Sequence, residues 1–199
     1  MTKKGVTAIL FAASVLSGTA NAQTPPRIRG TIAAITGDTV EIQPRRGDKV
    51  PVHLGDKTPV VGVTYAQLSD VKPGRFIGTT AVPQPDGTLK ALEIHVFPES
   101  MRGTGEGQYD WDLGESSTMT NGSIGTFTGS NGRTMTVTYN GGEKTVVIPD
   151  NVPIVDLHPG DRALLKPGAH AVAIGPKAAD GLVAALRFYV GENGAVPPM

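Results

Sequence analysis

The side chains best spaced for chemistry are Glu93 and His95, two apart in "LKALEIHVF". On an extended strand such a pair shares one face, about 7 Å apart, where a carboxylate and an imidazole can both reach a divalent metal. A metal needs further ligands, and His53 is the other histidine in that part of the chain. A polar pair on the outer face of a small barrel also reads as ordinary solvated surface, which is the reading adopted. A second set, Glu106, Asp110, Asp112 and Glu115, falls within ten glycine-rich residues and offers oxygens to a hard cation. Its spacing matches no EF-hand, because position 12 counted from Asp110 is Asn121 where a glutamate is required. Solvated charge is again the simpler expectation. No cofactor is therefore expected. The alternative is a divalent metal ion drawing on Glu93, His95, Glu106, Asp110 and Asp112.

Other chemistries leave fewer traces. Cysteine is absent, and so are a G-x-S-x-G elbow, H-E-x-x-H, a Walker loop and a strand-borne G-x-G-x-x-G. "GTGEG" (Gly103 to Gly107) has glycines but neither the lysine nor the helix start of a phosphate cradle. His158 and His170 sit beside turns, where surface is the default. Basic residues gather only at "PRRGDK", a hairpin tip, so nucleic acid is not an expected partner. Enzymatic activity is not expected, and a hydrolase with an unrecognised site ranks third among functions.

The elements that must position these residues begin with an export signal. Lys3 and Lys4, the short apolar run Val6 to Leu16 and the Ala20-Asn21-Ala22 cleavage site read as a signal peptide over 1–22. A run of about eleven residues is too short to span a bilayer, where roughly 20 are needed, so no membrane span is expected. The expected location is the periplasm or the medium. Removing 1–22 from the 199 residues leaves 177, with 16 basic against 18 acidic side chains and no general attraction to anionic surfaces. Without cysteine no disulfide framework holds the exported chain. Glycine and proline, at 26 and 16, punctuate short Val- and Thr-rich runs and predict an all-β fold.

The chain also repeats itself. From Val52 to Val96 it matches Val146 to Val190 at a constant offset of 94, with 12 identities that include Lys72-Pro73-Gly74 over Lys166-Pro167-Gly168 and Asp86-Gly87 over Asp180-Gly181. Upstream, "RGTIAAITG" aligns with "NGSIGTFTG" at an offset of 92, which places an insertion near Ser130-Asn131. Each copy reads as three strands, a short helical stretch at "TYAQLSD", a type II turn at Pro-Gly and a final hairpin across Asp-Gly. The expected fold is therefore two tandem OB-like five-stranded β-barrels related by duplication. The first covers 23–97, the second covers 122–199, and 98–121 joins them.

The pattern "DVKPGRF…PDGTLKALEI", together with "EIHVFPESMRGTGEG…WDLG…STMTNG", is similar to uncharacterised secreted bacterial proteins with tandem small β-barrel domains of unknown function. Some of those carry a genome label of metal transporter permease, a label that a chain without several spans does not fit. The resemblance covers nearly all of the exported chain and implies a fold and a compartment.

The joining segment holds the sole tryptophan. Tyr109, Trp111 and Leu113 alternate with Asp110 and Asp112, giving one apolar and one acidic edge, whereas a plain spacer would carry no large apolar groups. The segment is expected to be an extended strap sealing the groove between the barrels. The expected function is thus a non-enzymatic periplasmic binding or accessory protein, taking an envelope protein or small ligand at the junction. Periplasmic metal handling is the alternative.

Overall fold

A computed structural model describes residues 25–128 and 132–199. The expected signal peptide over 1–22 and the expected insertion near Ser130-Asn131 lie outside the described residues. The described chain is all-β. The first repeat supplies β1 (Arg27–Thr36), β2 (Thr39–Pro44), β3 (Val50–His53), β4 (Val60–Tyr65), β5 (Phe76–Pro83) and β6 (Leu89–Val96). Between the repeats lies β7 (Gly107–Asp110). The second repeat supplies β8 (Thr118–Thr128), β9 (Thr134–Tyr139), β10 (Gly142–Val147), β11 (Ile154–Gly160), β12 (His170–Ile174), β13 (Val183–Ala184) and β14 (Arg187–Gly191). The helical stretch expected in each copy is a single 3-10 turn, Leu68–Asp70 and Arg162–Leu164. Before it stands a strand, β4 or β11, because "VVGV" and "IVDL" are too β-branched and apolar to stay in a loop.

The hairpins form where the turn residues demand. Gly74 and Gly168 both hold positive φ, at 80° and 89°, in turns closed by Arg75 N to Lys72 O and Ala169 N to Lys166 O, each 3.1 Å. The β5–β6 hairpin turns at Gly87, φ 84°. Strands β5, β6, β10, β9 and β8 then close a five-stranded barrel, with antiparallel pairs throughout except the parallel closure of β10 on β6 at Val146↔Leu89. Ile77, Ile94, Val96, Ile124, Met135 and Val137 are among the side chains that fill it.

This barrel corrects the expected division at 97 and 122. Its strands come from the end of the first repeat and the start of the second. Strands β1, β2 and β3 pair instead with β12 and β13 from the far end of the chain, around Ile32, Ile42, Val52, Phe188 and Val190. The pairings of the two halves correspond. Val146↔Leu89 answers to Val52↔Val183, and Phe76↔Ser123 to His170↔Thr31. Strands β4 and β11 lie between the two groups and run antiparallel to each other with Val63 opposite Leu157, two positions 94 apart. Each then lies parallel to the last strand of one half, β4 on β14 and β11 on β6. Between the halves a third apolar cluster gathers Val61, Val63, Val155 and Leu157 with Phe76, Phe97, Met119, Val172, Tyr189 and Met199.

Candidate functional site

The segment 98–121 is a strap that is folded rather than merely extended. It leaves the barrel through a 3-10 turn at Glu99–Met101 and bends at Gly103, Gly105 and Gly107, with φ of 82°, 58° and 134°. It then pairs as β7 with β8, from Gly107↔Asn121 to Asp110↔Thr118. A tight loop returns it, held by Trp111 N to Ser117 O at 2.8 Å and by Ser117 Oγ to Trp111 O at 3.1 Å.

The three apolar strap residues separate. Trp111 packs half-buried against the cluster between the halves, with the Arg27 guanidinium 3.3 Å above its ring. Tyr109 is 38% exposed, not sealed in the junction; its ring leans on Trp111 at 5.8 Å because its hydroxyl is drawn toward Asn121. Leu113 borders an open cleft.

The acidic residues separate too, and do not gather into one cluster. Asp112 accepts from both terminal nitrogens of Arg29 at 3.0 and 2.7 Å and lies 3.2 Å from Arg27. Burial pushes the Asp112 carboxyl up, but the Arg29 hydrogen bonds and the two guanidinium charges outweigh it and hold the group below its usual value. Burial lowers Arg27 in turn. Glu106 accepts from the backbone N–H of Asn140 at 2.9 Å, and Asp110 is exposed on β7. Among the described residues no three His, Asp or Glu side chains gather as metal ligands.

Glu93 and His95 do meet, but not on a solvated face. They lie on the outside of the barrel, opposite Ile94 and Val96, yet both are buried: Glu93 is 0% exposed and His95 4%. A carboxylate in that position requires donors. Glu93 Oε1 accepts from the backbone N–H and the hydroxyl of Thr80 at 2.9 and 2.7 Å, and Oε2 lies 3.1 Å from His95 Nδ1. The other edge of the imidazole approaches Gly78, which sits between His95 on one strand and Asn121 on the other. A Cβ at Gly78 would overlap both His95 Nε2 and Asn121 Oδ1, so the missing side chain is what lets these two cross the strand. Asn121 is the strap's anchor: Nδ2 donates to the carbonyls of Thr104 and Gly105 at 3.3 and 3.0 Å and lies 3.1 Å from the Tyr109 hydroxyl. Those carbonyls can only accept, which fixes the amide with Oδ1 toward the imidazole.

Residues related by the repeat thus hold the two ends of the strap, Asn121 in one half and Arg29, 92 positions earlier, in the other. Neither stands out by type. They are the first, non-identical column of "RGTIAAITG" over "NGSIGTFTG", and that mismatch is the one signal by which the sequence could have found them.

Beside Arg29 lies a cleft of about 540 Å³, within the size range of ligand pockets. Leu113 of the strap and Val196 to Pro198 form its walls, Ala171 and Val172 its apolar floor, and Thr31, Gln43, Arg45 and His170 its polar lining. Among the described residues no helix is long and apolar enough to cross a membrane. Comparisons with protein-family models, with curated proteins and with solved structures find no match to this chain.

Proposed function

We propose that this is a non-enzymatic binding or accessory protein of the periplasm, taking a partner segment or small ligand at the junction of two barrel-like halves. We read the halves as the products of a duplication that have exchanged strands. The observation that carries the proposal is the cleft, apolar at its base and polar at its rim, walled by the strap that ties the halves together. The buried polar residues Glu93, His95 and Asn121 serve this reading by holding the strap in place. Intact mass of periplasmic material tests the compartment, with a chain beginning at Gln23 expected and retention of Met1 contradicting it. Backbone-amide NMR tests the site. Added or co-purified ligand should shift the amides of Arg29–Thr31 and Gln43–Arg45, and V196W, which fills the rim from an exposed position, should abolish the shifts. Shifts that persist in V196W would place binding elsewhere.

A further inference from the structure

The cleft is the counterpart of a groove that the chain itself fills in the other half. Positions offset by the repeat make the comparison. In the first half, the groove over Gly78 and Asn121 holds the strap: Asn121 donates to Gly105 O, and β7 continues along β8, pairing Gly107↔Asn121. Gln108 and Glu106 then touch the end of β9, through Tyr139 Oη to Gln108 Oε1 at 3.4 Å and Asn140 N to Glu106 Oε1 at 2.9 Å.

In the second half the same path starts identically. Met199, 94 beyond Gly105, offers its carbonyl oxygen to Arg29 Nε at 2.9 Å, in the place where Gly105 meets Asn121. Next along that path come Arg29 to Thr31 on β1 and Gln43 to Arg45 at the end of β2, and these line the cleft. Strand β1 pairs with β12 from Arg27 onward, but with β2 only from Gly30 onward. Among the described residues no strand pairs with the other edge of Arg27–Arg29, the edge that on β8 is taken by β7.

We propose that this edge and cleft accept an extended acidic peptide segment of a partner protein, added to β1 as β7 is added to β8. The inference rests on the cleft being the binding site. Strand addition supplies main-chain hydrogen bonds, and side-chain pockets supply the selection. The selecting residue is Arg45. By strand register, with Thr31↔Gln43 answering to Ser123↔Thr138, it stands where Asn140 stands in the filled groove, and there Glu106 is the strap residue in contact. No acidic side chain lines the cleft, Arg45 has no ion-pair partner among the described residues, and His170 adds a second polar group at the rim.

The probe is the chain's own filling sequence, Thr104 to Asp110, as a capped synthetic peptide TGEGQYD, titrated into the full exported protein and followed by amide shifts. Saturable shifts are expected, confined to Arg27–Thr31 and Gln43–Arg45. R45E should weaken binding at least tenfold, and a peptide with lysine in place of its glutamate should regain affinity on R45E. Charge reversal that leaves affinity unchanged would overturn the inference, as would shifts confined to other strands. If no peptide shifts these amides while a small molecule does, the peptide assignment falls and the cleft survives as a site. If neither does, both fall.

Discussion

Gly78→Ala tests whether a missing side chain holds the strap down. The added methyl would lie inside 3.0 Å of both His95 Nε2 and Asn121 Oδ1. His95 cannot retreat easily, since Nδ1 is tied to buried Glu93 and its ring stands edge-on to Phe97 at 5.0 Å. Asn121 must yield, releasing the carbonyls of Thr104 and Gly105. Overpacking of this kind costs about 1–3 kcal/mol, and each hydrogen bond lost about 1 kcal/mol. Alanine recovers roughly 0.5–1 kcal/mol of the conformational cost of glycine in a strand. The net expectation is a loss of about 2–4 kcal/mol in urea unfolding, with new proteolytic cleavage between Met101 and Ser117. Gly62→Ala is the matched control. Its methyl would overlap His158 and Glu192 just as closely, but the His158 side chain is 39% exposed and can swing into water. That change should cost less than about 1 kcal/mol. A double variant G78A/N121A should lose less than the sum of its parts, since the clash with the amide is gone. Equal costs at Gly78 and Gly62, or a strap still protected in G78A, would refute the reasoning.

Trp111→Ala should cost about 2–3 kcal/mol by urea unfolding, below the range for a fully buried aromatic, because the ring is half-buried and part of its contribution is the Arg27 contact. Its emission should lie between buried and solvated limits; fully solvated emission would mean the strap is undocked. Gly74→Val and Gly168→Val should each cost about 1–3 kcal/mol, both by backbone strain alone, since neither Cβ would meet a neighbour. A neutral result at either turn contradicts that. Asp112→Asn should lower stability by under about 1 kcal/mol near neutral pH, the carboxylate being partly exposed. Its folded value lies below the unfolded value near 4, so the carboxylate's contribution is present above about pH 4 and fades as pH falls through the folded value. The gap between variant and parent should therefore close in acid; a gap independent of pH would show that charge is not the cause.

Strands, turns and cores were legible because each depends on nearby residues. Alternation in "TVEIQ" gives a buried Val40 and Ile42, and Pro-Gly at 73–74 and 167–168 gives left-handed turns. Partner choice was not legible. Apolar alternation tells which face of a strand is buried but not which strand lies beside it, and two similar repeats offer each strand two equivalent neighbours. The choice made is visible in the pairing of Val63 with Leu157, and nothing local marks that pair. Glu93 and His95 were correctly placed on an outer face but read as wet, because the partners that bury them, Thr80, Phe97 and the strands packed beside β6, join them only through the fold. Gly78 against Val172 was the visible hint that one half needed room where the other did not.

The pairing of the first strands with the last sets a clock on maturation. Thr31 meets His170 across 139 positions, so the first three strands to emerge can pair with one another, but the outer edges of β1 and β3 wait for β12 and β13 from the end of the chain. Ladders between such distant segments form slowly, and until then the open edges of β1 and β3 are exposed to any other chain. A chain delivered from its N-terminus would need those edges shielded during delivery. On the export route proposed above, its abundance would then depend on the speed of translocation and on envelope chaperones as much as on the stability of the finished fold.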